Sequence, residues 1–174
     1  MAQTRAVQQL DIPLNRDLFL RTLIRELAGT LEEVVGYEEA AGYISLVGQH
    51  MGDWINALYT KELGVSKLNP QQVAEVLADL KQRIHGNFSI VEQDSGKIVL
   101  QSTSCPFEDQ VVDRPSMCMM TSNVFGVITA ANLGYAKVTL EETIAARCGQ
   151  CRVVIYLHLG PEADAAQGRE YYGT

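Results

Sequence analysis

The sequence predicts an α+β fold: N-terminal helices, then a four-stranded antiparallel sheet in the order β-β-α-β-β, with one helix covering the sheet. Three observations carry this. The hydrophobic period is near 3.6 up to Gly86 and near 2 after it. Asp94-Ser95-Gly96 separates two short apolar runs, which is a hairpin signal. All four cysteines, Cys105, Cys118, Cys148 and Cys151, fall in the second half of the chain.

Taken in order, residues 1–14 read as a flexible arm. Asn15 is placed to cap a helix over 16–35, with Gly36 as its stop. Leu20, Leu23, Ile24, Leu27, Leu31 and Val34 give that helix one apolar face. A second helix is expected over 38–63, ending at Gly64. It carries a stripe of small residues, Ala41, Ser45, Gly48 and Gly52, beside an apolar face of Ile44, Met51, Ile55 and Leu58. Glycines inside a helix cost stability, so the stripe predicts close approach of another helix, within the chain or across a dimer. Asn69 and Pro70 open a third helix over 70–85. Strands follow over 88–92 and 97–101. An acidic loop follows Cys105-Pro106 and is expected to be mobile, which would make Cys105 the most reactive thiol. A fourth helix spans 116–133 and stops at Gly134. The last strands are 135–140 and 152–158. This divides the chain into a helical packing and dimerisation region at 15–85, a cysteine-containing α+β domain at 86–158 and a flexible tail at 159–174.

The 174 residues are 47% hydrophobic and 20% charged, within the globular range. Fourteen Lys+Arg against 21 Asp+Glu give a net charge of −7, which argues against direct nucleic-acid binding. No apolar run is long enough for a membrane span, and the first residues lack the apolar core of a signal peptide. A cytoplasmic location with reduced thiols is therefore expected.

The cysteine spacing is C-x12-C-x29-C-x2-C. In the expected topology the second strand ends near Cys105, the fourth helix begins near Cys118, and the turn into the last strand carries Cys148-Gly149-Gln150-Cys151. All four thiols are thus predicted at one end of the sheet. Cys148 and Cys151 have the spacing of a metal knuckle, and Cys118 lies at the positive end of a helix. Arg147 and Arg152 would offset thiolate charge. Three functional readings stand: a four-cysteine zinc site, an iron–sulfur cluster, and a metal-free thiol–disulfide switch. The plain alternative is four unrelated buried cysteines.

Elsewhere the signals are weaker. His50, with Tyr43 and Trp54, would suit a tetrapyrrole pocket, but aromatics at helical spacing more often fill a core. His85 and His158 are isolated. Glu141 and Glu142 are candidate metal neighbours or solvated carboxylates. Met117, Met119 and Met120 fill core or shape an adaptable apolar pocket. No phosphate loop, nucleophile elbow or acid–base pair is present, so no enzymatic activity is expected.

Cys105-Pro106-Phe107, Pro115-Ser116-Met117-Cys118, the apolar stretches 123–130 and 138–144, and Cys148-Gly149-Gln150-Cys151-Arg152-Val153-Val154-Ile155 carry a resemblance. Over 86–158 the chain resembles the cysteine-containing methanogen output domain and, more distantly, the 4-vinyl-reductase-like, hydrocarbon-binding superfamily. The resemblance implies a regulatory or ligand-handling role. It also implies zinc ligation by Cys105, Cys118, Cys148 and Cys151, with Glu141 matching a glutamate that ligates metal in some relatives. The expectation is a non-enzymatic cytoplasmic sensor with a four-cysteine zinc or iron–sulfur centre, acting as a homodimer or through a protein partner. The alternative is a binding module for a tetrapyrrole or apolar ligand, with structural zinc.

Overall fold

The computed structural model describes residues 11–173. Most of the expected arm, residues 1–10, lies outside that range. The order is α1 (Arg16–Val35), α2 (Tyr37–Leu63), α3 (Pro70–Arg83), β1 (Ser89–Gln93), β2 (Lys97–Ser102), a 3-10 turn (Glu108–Val111), α4 (Pro115–Leu133), β3 (Tyr135–Glu142), β4 (Cys151–Tyr156), α5 (Pro161–Ala165) and β5 (Arg169–Tyr172). The fold is α+β, as the period change predicts.

Local chemistry sets the boundaries. The Asn15 side chain accepts from Leu18 N at 2.9 Å and starts α1. Asn69 and Gln72 form a reciprocal capping box at α3, with Pro70 at the first helical position. α4 ends at Gly134, whose φ of 89° is left-handed. The β1–β2 turn is held by Asp94 Oδ1, which accepts from Gly96 N at 2.7 Å and Lys97 N at 2.9 Å.

The sheet has five antiparallel strands in the order β1-β2-β4-β3-β5, one more than expected. The fifth lies in what reads as a loose tail. Three contacts hold it in place: the Tyr171 ring lies over Gly126 of α4, the Tyr171 hydroxyl pairs with Ser122 at 2.9 Å, and Tyr135 donates to Glu170 at 2.9 Å. Ala163 of α5 is buried as well, so 159–173 is part of the folded body.

α3 and α4 pack on the sheet around Leu77, Ile98, Leu100, Phe125, Ile128, Val138 and Ile155. α2 packs along α4. A Cβ on Gly48 would come within 2.7 Å of Asn123 Cβ, and one on Gly52 within 2.9 Å of Val127 Cβ. The small-residue stripe therefore serves a helix crossing inside the chain, and it is not free to form a dimer interface.

α1 is docked differently. Arg25 donates to the carbonyls of Gln110 (2.5 Å) and Val112 (2.9 Å), Arg21 pairs with Glu108 and Asp17, and Ser116 donates to Glu32. Arg25 and the Arg21–Glu108 pair tie α1 to the loop that follows Cys105, and Glu32 ties it to the start of α4. Val111 in that loop is buried, so the acidic segment expected to be mobile is anchored from both sides.

Candidate functional site: an apolar cleft beside a thiol pocket

The ends of β2, β3 and β4 and the start of α4 meet at one end of the sheet, as the topology predicts. Ser102 of β2 is in register with Cys151 of β4, and Glu142 of β3 with Arg152. Cys105, Cys118 and Cys151 line one pocket of about 30 Å³ with Glu142, Thr143 and Lys81. Three of the four cysteines thus converge although they come from a loop, a helix and a strand.

Cys148 does not join them. It is exposed, and its Sγ donates only to the Ala146 carbonyl, at 3.9 Å. No cysteine is in a disulfide. Among the described residues no group of three or more His, Cys, Asp or Glu side chains stands close enough to hold a metal ion. The four thiols therefore do not form a closed tetrahedral centre in this arrangement. Arg147 and Arg152 are also committed elsewhere, to Asp113 at 2.6 Å and Glu141 at 2.9 Å. Of the two carboxylates it is Glu142 that lines the thiol pocket, whereas Glu141 is taken up by Arg152.

Burial pushes the Cys118 thiol up to about 12, and it raises Cys105 and Cys151 too. These thiols are protonated and weakly nucleophilic at neutral pH. Cys148 is the exposed thiol, whereas Cys105, expected to be the most reactive, is half-buried. The Cys148→Ser variant is expected to keep its stability within about 0.5 kcal/mol, as for an exposed side chain. A loss of several kcal/mol in urea unfolding, with loss of bound zinc, would instead establish the four-cysteine centre.

Sequence reasoning passed over Lys81. It is 5% exposed, yet it carries an ammonium. Its Nζ donates to Thr121 Oγ1 at 2.7 Å and lies 5.4 Å from the ring centroids of Phe88 and Phe125. Burial pushes the Lys81 ammonium down to about 8, against the pull of any ionised Cys105, Cys151 or Cys118. The available signal was position: Lys81 follows Leu77 by four residues and falls on the apolar stripe of α3.

Behind this pocket lies a much larger cleft, of about 530 Å³. Its lining comes from α1 (Ile24, Leu27, Leu31), α2 (Tyr43, Ile44, Val47, Met51, Ile55), α3 (Leu80, Lys81, Ile84), the Pro106-Phe107 corner and α4 (Met117, Met120, Thr121, Val124). Lys81, Pro106, Phe107, Met117 and Thr121 line both spaces and so form the wall between them. Of the residues weighed for a tetrapyrrole, Tyr43 lines the cleft, whereas His50 and Trp54 do not. Of the three methionines weighed as core or pocket residues, Met117 and Met120 line the cleft and Met119 does not.

The helices packed on one antiparallel sheet are a fold of the 4-vinyl-reductase-like class. Within it, the methanogen output domain 1 family matches residues 23–156, and the chain belongs to that family. The match runs through α1, α2 and α3 as well as the cysteine-containing half. No curated protein matches the chain. Two solved structures share the fold. One is the phenol-responsive sensory domain of the transcription activator PoxR with phenol: 18% identity, TM-score 0.61, covering 88% of this chain and 81% of that one. The other is a trafficking protein particle complex subunit 3 from Naegleria fowleri covalently bound to palmitic acid: 12% identity, TM-score 0.56, covering 81% of this chain and 96% of that one. Among the described residues no helix is long and apolar enough to cross a membrane.

Proposed function

We propose that this chain is a non-enzymatic, cytoplasmic sensory domain whose signal is a small, largely apolar molecule bound between the helices. The observation that carries this reading is the cleft itself. Its volume is in the range of small-ligand sites, and its walls are apolar side chains from α1, α2, α3 and α4. Membership in an output-domain family supports a sensory role, and both structural neighbours hold an apolar or aromatic molecule. The thiol pocket, too small for such a ligand, borders the cleft.

The test is calorimetric titration of the full chain with phenol and with eight-carbon amphiphiles. Saturable binding is expected, and Val47→Trp, which fills the cleft from its rim, is expected to weaken it at least tenfold. Val47 is about half exposed, so the substitution does not disturb the main core. Failure of every probe to bind the native chain would overturn the reading.

We also propose that the signal is passed through protein contact, with a second copy of the chain as the first partner. Leu46, Trp54 and Leu58 on α2 are about half exposed and lie outside the cleft lining. A dimer is expected in light scattering, shifting to monomer in Trp54→Glu. A native chain that stays monomeric at all working concentrations would remove this part of the proposal.

A further inference from the structure

We propose that the occupant of the apolar cleft carries a carboxylate head, and that Lys81 is the group that receives it. The inference rests on the cleft being a ligand site and names the chemical class of its ligand.

The starting point is charge. An ammonium removed from water is costly unless an anion accompanies it. Lys81 Nζ has one hydrogen-bond acceptor, Thr121 Oγ1, and two aromatic faces. None of the described ion pairs involves Lys81. Two of the three protons on its nitrogen therefore lack a strong acceptor.

Location supplies the second argument. Lys81 and Thr121 lie in the wall between the cleft and the thiol pocket. A ligand with its tail among Ile44, Met51 and Met120 would bring its head to this wall. A carboxylate there accepts from Lys81 Nζ with one oxygen and from the Thr121 hydroxyl with the other. The tail buries apolar area, and the head provides the anion missing beside the buried cation. A neutral head of the same size leaves that charge uncompensated.

Matched probes test this on the full chain: octanoate and octan-1-ol, which share a tail and differ in the head. Octanoate is expected to bind at least tenfold more tightly to the native protein. In Lys81→Met that preference is expected to vanish, with octanoate weakened tenfold or more and octan-1-ol unchanged within about twofold. Lys81→Gln, which keeps a polar head without charge, is expected to lose the preference too, so greater apolarity of the methionine variant would not explain the result. If octan-1-ol binds the native chain as well as octanoate does, the head-group assignment is wrong while the cleft reading stands. Retention of the octanoate preference in both variants overturns it equally. If neither probe binds the native chain, the head-group assignment falls, and the cleft reading falls with it only when phenol fails to bind as well.

Discussion

Replacing Lys81 with methionine is expected to raise the stability of the ligand-free protein by about 3 kcal/mol near pH 7. Burial lowers the ammonium from an ordinary 10.5 to about 8, and each tenfold loss of proton affinity corresponds to about 1.4 kcal/mol. The unfolded chain holds this proton more tightly than the folded one. Stability therefore carries the full penalty below pH 8 and recovers as pH rises from about 8 toward 10.5. Cys118 acts in the opposite sense. Its thiol is raised from 9.0 to about 12, so its stabilising effect is complete below pH 9 and lost as pH climbs above that. Cys105 and Cys151 are raised as well, so the thiols offset that recovery in both proteins, and it is the stability advantage of Lys81→Met over the native chain that should narrow between pH 7 and pH 9. Urea unfolding at the two pH values measures this. A destabilised Lys81→Met with an unchanged pH profile would show that the ammonium is already compensated.

Gly126→Ala is expected to cost about 2 to 4 kcal/mol, a large effect for one methyl group. A Cβ at this position would lie 2.1 Å from Cδ2 of Tyr171. The ring has little room to retreat, because its hydroxyl is tied to Ser122 and its backbone is paired with Ala136 of β3. The methyl group therefore either displaces β5 or pushes α4 off the sheet. Hydrogen exchange at 169–172 should rise first, and the unfolding midpoint should fall. Gly126→Ala without either change would mean that β5 does not pack on α4 as described.

These two residues also show where the sequence stopped being legible. Elements with a regular period or a strong cap were readable from one dimension: α1 between Asn15 and Gly36, α3 from its Asn69-Pro70 start, and α4 up to Gly134. The convergence of Cys105, Cys118 and Cys151 followed from topology, because strand ends and a helix start define one edge whatever lies between them. Cys148 was harder. Two-residue spacing allows both thiols of a knuckle to turn inward but does not require it, and here Cys148 stands outside the pocket. β5 was hidden because Arg169-Glu170-Tyr171-Tyr172 has no alternation, and its stability comes from Gly126 and Ser122, more than 40 residues away. Lys81 was hidden because lysine is normally a surface residue. Only its place on the apolar stripe set it apart. The Gly48 and Gly52 stripe was correctly read as a close helix approach, but pattern alone did not choose between α4 and a second chain.

The two outer helices respond to different variables of their surroundings. α2 is held by interlocking shape at Gly48 and Gly52, and shape does not depend on dissolved ions. α1 is held to the loop after Cys105 largely by arginines, with Arg21 on Glu108 and Arg25 on two backbone carbonyls. Glu108 faces solvent, so added salt screens its contact with Arg21. Added salt is therefore expected to loosen the α1–loop contact at the edge of the cleft and to leave the α2–α4 crossing in place.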